Sequence, residues 1–498
     1  MKRNDRDSRN EHPVDRIVSG RRRFLATCCA SAVCAGSACT GMAHIGMLHG
    51  IPLFGTPLYA DEPDFVFAER DDWVRLTGPD QNSQSRERGL LHRWPEGGPR
   101  LVRQIDGLGG GWAAPCIAGN RIFCTARDVD AQSSTEEQSD FGVREYIIAF
   151  DRDTGAKLWR TPIGPAYEDS YPGVRATATW FDGRLYHLSG VGNIHCLDAT
   201  TGEVLWRRNI VSDFGARRPT WGFAEALFVD SERVYVSVGS ERSMMVALDC
   251  RTGKTRWESE GFGGRPGYDD TGVKPGYSAP LFVEYGGFRQ LVTMTSDGAI
   301  GVDMNTGRIL WDYPQKGLYE VNASMPLWNP DDGCLMIFGT WNLGATKLKL
   351  HVSSGGDSPE CRVEKLWHTT KLDNEHGGVM RIGDFLYGHA DGNHRRRYWT
   401  CISYITGETQ WTSDWHPGKS GTLTAADGLL YVVSDTGRIA LVPADPAKFE
   451  PVSEFELPDA AERSHSEACW AHPIICGGRL YLRHAGTIFI YDILGEKS

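Results

Sequence analysis

Short apolar runs follow one another along this chain, each closed by a polar turn and answered by another run. The clearest case is Asp198-Ala199-Thr200-Thr201-Gly202-Glu203-Val204-Leu205-Trp206. Asp ends one apolar run, Thr-Gly reverses the chain, and a Trp stands four residues past the Gly. The spelling returns at Asp151…Gly155…Trp159, Asp249…Gly253…Trp257 and Asp303…Gly307…Trp311, and in Tyr404-Ile405-Thr406-Gly407…Trp411, which has lost its Asp. Gly supplies the positive φ of a tight reversal, while Asp and Thr bond the turn backbone. A Trp then falls at the same place on each departing strand. Five copies at fixed internal spacing make this a repeat protein.

Around these turns eight units can be drawn: 111–159, 175–206, 221–257, 277–311, 322–367, 376–411, 421 to about 455, and 470–493. Each has an apolar strand, a tight turn such as Asp182-Gly183 or Gly477-Gly478, two further strands and then the Trp strand. Four strands in roughly 50 residues is one propeller blade. The fifth unit carries Ser353-Ser354-Gly355-Gly356-Asp357 in place of Thr-Gly, and a polar loop, 130–140, interrupts the first. The last unit is one strand short, whereas 101–106 is an isolated strand ahead of the first. Paired beside 486–492, it completes the eighth blade and leaves no open edge. The pattern therefore predicts an all-β, eight-bladed propeller of four-stranded antiparallel blades over 99–498, preceded by an irregular lead-in, 61–98. A pair of β-sandwiches would not explain one period running through about 390 residues.

The first 60 residues differ in character. Arg21-Arg22-Arg23-Phe24-Leu25 precedes a weakly apolar, small-residue run to about Leu53, and Pro57-Leu58-Tyr59-Ala60 suits a cleavage site. This reads as a twin-arginine export signal, with a disordered basic tail as the other reading. Cys34 and Cys39 lack a good lipobox, and the run is too broken to be a convincing membrane span. The net charge of −11 becomes −15 without the leader's 8 basic and 4 acidic residues (45 − 60). That balance argues against nucleic-acid binding. Nine of the 13 cysteines lie outside the leader. Cys116/Cys124 and Cys469/Cys476 sit where hairpin partners would face, either as disulfides or as small buried apolar groups.

Ala247-Leu248-Asp249…Trp257 resembles the tryptophan-docking motif of PQQ-like β-propellers, the superfamily of the quinoprotein alcohol dehydrogenases and of the outer-membrane assembly lipoprotein. Further likeness to secreted bacterial PQQ-like repeat proteins lies in Gly89…Trp94-Pro95-Glu96-Gly97-Gly98-Pro99, Arg175-Ala176-Thr177, Trp221-Gly222-Phe223-Ala224-Glu225, His376-Gly377-Gly378-Val379 and Ala471-His472-Pro473. The resemblance implies that Trp159, Trp206, Trp257, Trp311, Trp367 and Trp411 are buried wedges between blades, structural rather than chemical.

Chemistry in such a ring belongs at a channel mouth, where the residues opening the innermost strands converge. Here they are Trp112, Arg175, Trp221, Tyr277, Asn322, His376 and Trp470, with His472 two further on. They suit stacking on and hydrogen bonding to a planar or sugar-like ligand, or else they plug and solvate the channel end. His394-Arg395-Arg396-Arg397 offers four charges to an anionic partner, or is a solvated turn. No hydrolase, P-loop, zinc or calcium-loop motif is present, and no catalytic residue or metal ligand is assigned. The resemblance brings PQQ and calcium into view, but the adjacent Cys28-Cys29 lies in the leader and no Glu/Asn/Asp calcium set matches. The expectation is an exported, monomeric binding or scaffold protein of the periplasm or cell envelope. Its partner is a protein or a polysaccharide, and no cofactor is expected. The competing reading is a PQQ- and calcium-dependent dehydrogenase of an alcohol or sugar.

Replacing Arg21 and Arg22 by Lys should hold the precursor in the cytoplasm. Cell fractionation and immunoblotting test this, and undiminished export would point to another route.

Overall fold

The structure, a computed structural model, describes residues 72–128, 142–262, 273–353, 360–393, 396–415, 417–458 and 468–495. The leader with its arginines, the 130–140 loop and most of the Ser353–Asp357 turn lie outside the described residues. Of the basic run near 394, only Arg397 is described as far as its side chain.

Eight four-stranded antiparallel sheets form the ring. Seven are built from consecutive strands, beginning with Cys116–Ala118, Arg121–Arg127, Arg144–Asp151 and Lys157–Pro165. The eighth joins Ile474–Cys476, Arg479–His484 and Thr487–Asp492 to the early strand Arg100–Ile105, called β1 here. Antiparallel pairing of Arg100 with Asp492 and Ile105 with Ile488 closes the ring where the sequence places the closure. All nine described cysteines are free thiols buried in the apolar layers, so neither hairpin pair is a disulfide.

The repeated turn works as its residues imply. Asp198 Oδ1 accepts from the Thr200 and Thr201 amides at 2.8 Å each, and Gly202 has φ 78°. One residue of the Trp strand bulges out of register just before the Trp, with Trp206 opposite Cys196 and Val204 opposite Leu197. The bulge aims the indole at the next blade. There it lies flat on that blade's turn glycine. A Cβ on Gly202 would stand 2.6 Å from the Trp159 ring, and Gly253, Gly307 and Gly407 meet Trp206, Trp257 and Trp367 in the same way. Each indole N–H donates to the carbonyl following the turn Asp or its replacement. The pairs are Trp159 to Ala199 (3.3 Å), Trp206 to Cys250 (2.9 Å), Trp257 to Met304 (3.0 Å) and Trp367 to Tyr404 (3.2 Å). Trp411 donates to Asp445 (2.9 Å).

The burial expected of these tryptophans needs correction. Trp206 and Trp311 are buried, but Trp159, Trp257, Trp367 and Trp411 are half-buried, because they stand on outer strands with one edge toward solvent. Trp311 is also the exception in docking. In blade five the strand Gly344–Ser353 runs on past the point where the other blades turn, so no turn carbonyl meets the Trp311 indole. It bonds Gln290 Oε1 of its own blade at 2.6 Å instead. Two further docking groups carry no Trp spelling. Phe455 of blade seven covers Gly98, and Arg103 on β1 occupies the Trp register opposite Ile490. The Arg103 guanidinium donates to the carbonyls of Asp153 and Thr154 over Gly155.

The lead-in also has a structural role. Between Trp73 and Glu87 it crosses one end of the channel and touches every blade. Trp73 exchanges two backbone bonds with Ile117 of blade one, and Val74 O accepts from Trp180 N of blade two. Arg75 lies over Phe228 of blade three, and Leu76 packs on Ala226, Ala279 and Met325 of blades three to five. Gln84 bonds Arg381 O in blade six, and Ser85 N bonds Ala425 O in blade seven. Glu87 then takes the Gly477 and Gly478 amides of blade eight at 2.6 Å each.

Removing a buried indole from between two blades opens a cavity and loses a hydrogen bond. Trp206→Ala should cost about 3–5 kcal/mol in urea unfolding, and the half-buried Trp257→Ala should cost less. Equal losses would mean that burial does not govern the docking energy.

Candidate functional site at the channel mouth

This crossing segment from Trp73 to Glu87, called the strap here, lies beside the first hairpins of the blades, so the opposite end of the channel is where the connections enter the inner strands. The sequence-selected residues sit in those connections, a few positions ahead of the strands rather than on their first residues. Trp112 precedes Cys116–Ala118, Arg175 precedes Thr179–Phe181 and His376 precedes Val379–Ile382. Parallel contacts between connections bring them together, for example Trp112 N to Val174 O at 2.8 Å and Tyr277 N to Asn322 O at 3.1 Å.

Most of the set converges. The Trp112 and Trp470 ring centroids are 5.3 Å apart, tilted by 41°, and His376 stands edge-on to Trp470 at 5.2 Å. Trp221 and Tyr277 form a second pair at 6.1 Å, and the Tyr277 hydroxyl accepts from the Trp221 amide at 3.3 Å. Tyr171, which sequence reasoning missed, joins the two groups. It is 6.4 Å from Trp112 and 6.2 Å from Trp470, and it packs on the Trp221 cluster.

Several polar groups hold the mouth in shape. Arg175 is 3% exposed and lies 5.3 Å from the Trp112 ring centre and 4.2 Å from that of Tyr167. Its terminal nitrogens donate to the carbonyls of Gly173 (2.7 Å), Ser170 (3.2 Å) and Tyr171. Arg175 is therefore a clamp on the loop that presents Tyr171, and burial lowers its guanidinium to about 9. Asn322, fully buried, ties blades four and five through Thr295 O (2.9 Å) and Gln315 O (3.0 Å). Trp470 Nε1 donates to Ser420 Oγ at 2.8 Å. His472 Nε2 donates to His376 O at 2.9 Å, and burial holds its imidazole at about 4.

Among the described residues, Trp112 Nε1, Trp221 Nε1 and Arg175 Nε are buried donors at this mouth without an acceptor. Three aromatic residues there also hold left-handed backbone: Tyr171 (φ 58°), Tyr319 (φ 56°) and Trp341 (φ 52°). Tyr319 stands edge-on to Trp341 at 5.2 Å and is half exposed, and Trp341 packs on the Trp221 cluster. Such conformations cost about 1–3 kcal/mol each and gather at binding sites. Their one signal in the sequence is an aromatic residue inside a polar inter-strand connection. Glu145 was also missed. It lies 2% exposed, 3.3 Å from His187 Nε2, with its carboxyl pushed up to about 8 by burial against the pull of Arg175 and Arg127. Among the described residues no group of three or more His, Cys, Asp or Glu is placed to hold a metal ion.

The family model described as the outer membrane protein assembly factor BamB matches residues 143–399. A polyvinylalcohol dehydrogenase of Sphingopyxis sp. (strain 113P3) is 28% identical over 160 residues, and the match spans 24% of this chain and 23% of that protein's length. The crystal structure of quinohemoprotein alcohol dehydrogenase from Comamonas testosteroni aligns over 87% of this chain and 82% of its own, with TM-score 0.57 and 13% identity. BamB from Moraxella catarrhalis aligns over 80% and 99%, with TM-score 0.52 and 13% identity. At 13% identity these likenesses concern the fold.

His472 gives the mouth a pH signature. Unfolded, its imidazole protonates near the ordinary 6.5, whereas the folded protein admits the proton only near about 4. The unfolded chain therefore binds the extra proton in that window, and stability falls as pH drops through it. Urea unfolding between these limits should show this loss in the wild type and a flatter profile in His472→Gln. Parallel profiles would assign the loss to other groups.

Proposed function

We propose a function from one premise: the chain belongs to the family of the outer membrane protein assembly factor BamB. The protein is an exported, non-catalytic propeller of the periplasm or cell envelope that binds a protein or polysaccharide partner at its aromatic mouth. Among the described residues no helix is long and apolar enough to cross a membrane. The observation that carries this reading is the combination of the unpartnered Trp112, Trp221 and Arg175 donors with the aromatic faces around them. Buried N–H groups without acceptors cost about 1–3 kcal/mol each, so a partner supplying oxygen atoms gains from satisfying them. Trp112, Trp221, Tyr277 and Trp470 are themselves buried, and the half-exposed Tyr319 with the partly exposed Tyr171 and Trp341 adds uncovered aromatic area for stacking at small entropic cost. Both requirements suit a hydroxyl-rich chain, and this favours a polysaccharide over a protein.

A second reading, a quinone- and calcium-dependent dehydrogenase, draws support from the names of the polyvinylalcohol and quinohemoprotein alcohol dehydrogenases. Bound there, a quinone would accept hydride or electrons from an alcohol and calcium would polarise its carbonyls. What speaks against it is the lining. Trp112 and Trp470 meet at a tilt instead of flanking a flat slot, Arg175 is held on backbone carbonyls, and among the described residues no metal-holding group of carboxylates adjoins them.

Calorimetric titration of the exported protein with a panel of envelope oligosaccharides separates these readings. Binding is expected in the wild type. In the Trp112→Phe and Trp221→Phe double variant, which keeps one aromatic ring at each position and removes both indole N–H groups, it should weaken by roughly tenfold or more. Incubation with PQQ and calcium should give neither quinone absorbance nor reduction of an artificial acceptor, and either signal would support the dehydrogenase instead. Unchanged affinity in the double variant would move the binding surface away from the mouth. No saccharide binding, with an envelope protein bound in a mouth-dependent way, would make the partner a protein.

A further inference from the structure

At the strapped end of the channel, a small chamber lies between the strap and the inner strands of blades two to four. Its lining includes Arg75, Thr77 and Gln81 from the strap, Thr179 from blade two, Phe228 from blade three and Ala279 from blade four. Its free volume is about 20 Å³, room for one particle the size of a water molecule or a halide ion.

The chemistry of this lining is one-sided. Arg75 brings a positive charge against the Phe228 ring, 5.5 Å from its centre, and its Nε is buried with no acceptor among the described residues. The nearest carboxylate that acts on it, Asp80, is itself paired with Arg86. The Gln81 side-chain oxygen already accepts from the Phe282 amide at 2.9 Å. Thr179, 4% exposed, has a buried hydroxyl that also lacks a partner. Burial lowers the Arg75 guanidinium to about 10, yet it remains charged at neutral pH. A cation taken out of water without a counter-charge is costly, and a water molecule satisfies its hydrogen bonds without neutralising it.

We infer that the chamber is a site for a single halide ion, chloride by size and abundance, held between the Arg75 guanidinium and the Thr179 hydroxyl. The ion joins the strap to the ring, since Arg75 belongs to one and Thr179 to the other. Halide concentration then sets how firmly the strap is seated across the channel. This inference is independent of what the opposite mouth binds.

Anomalous diffraction from crystals of the exported protein soaked in sodium bromide locates the ion directly. Thermal unfolding in sodium chloride or bromide, against sodium gluconate at equal ionic strength, measures its effect on the protein. The expected result is a bromide peak beside Arg75 and Thr179, with a higher Tm in either halide than in gluconate. Arg75→Met, which keeps most of the side-chain volume, should lose the halide increment. Thr179→Val, which keeps the charge, should raise the bromide concentration for half-maximal effect by roughly tenfold. Should Arg75→Met fail to fold, the Thr179→Val titration alone decides. An ordered water with no bromide at the site, a halide increment that survives Arg75→Met, or one unmoved by Thr179→Val would each overturn the inference.

Discussion

Everything in this ring depends on the contact in which an outer-strand side chain of one blade lies on the turn glycine of the next. Sheets radiating from a channel diverge outward, and their outer strands need a filler between them. The indole supplies a flat apolar face and one donor, and the turn supplies a glycine without a side chain and an outward carbonyl. Neither half works without the other. Any residue larger than Gly would meet the ring well inside van der Waals distance, and a strand without the bulge would aim the indole elsewhere. The bulge, the Thr-Gly turn and the Trp are one device spelled in nine residues.

The contact survives changes of chemistry. Arg103 replaces an indole with a guanidinium that covers Gly155 and bonds two turn carbonyls, and Phe455 covers Gly98 with a ring alone. These substitutions fall on either side of the closure, where the blade is assembled from both ends of the chain. In blade five the turn itself is missing, and Trp311 becomes a group internal to its own sheet. The requirement is a flat group over a glycine. Tryptophan is its commonest form here.

This explains how much could be read in advance. The blade count, the strand order and the closure by β1 follow from the repeated turn, because its spacing is local and its residue types are tightly constrained. The convergence of Trp112, Trp470 and His376 follows from that architecture. The strap was illegible because residues 72–88 have no period; their partners are mostly backbone atoms, with small apolar contacts in blades three to five, and neither carries a residue signature. Arg175 as a clamp, and Tyr171 as the ring that links two aromatic pairs, depend on loop conformations with positive φ at non-glycine positions. Burial of the docking tryptophans was overstated because the motif gives the register of a residue and not the depth of its strand.

The two bonds from Glu87 to the Gly477 and Gly478 amides bear on the order in which the protein is made. They connect residues about 390 positions apart, and β1 pairs across a similar separation. On a ribosome the strap and β1 emerge long before their partners on the eighth blade. Loop closure over such a span is slow, and contacts of this range form late. Until then the chain is an open arc with an uncovered blade face at its growing end and its fastening strand already made but unpaired. Interrupted translation would leave a sticky arc, and completion of the strands of the eighth blade pairs β1 and covers the end faces of the arc in one step. The protein's exposure to aggregation is concentrated in that interval, before the last blade is finished.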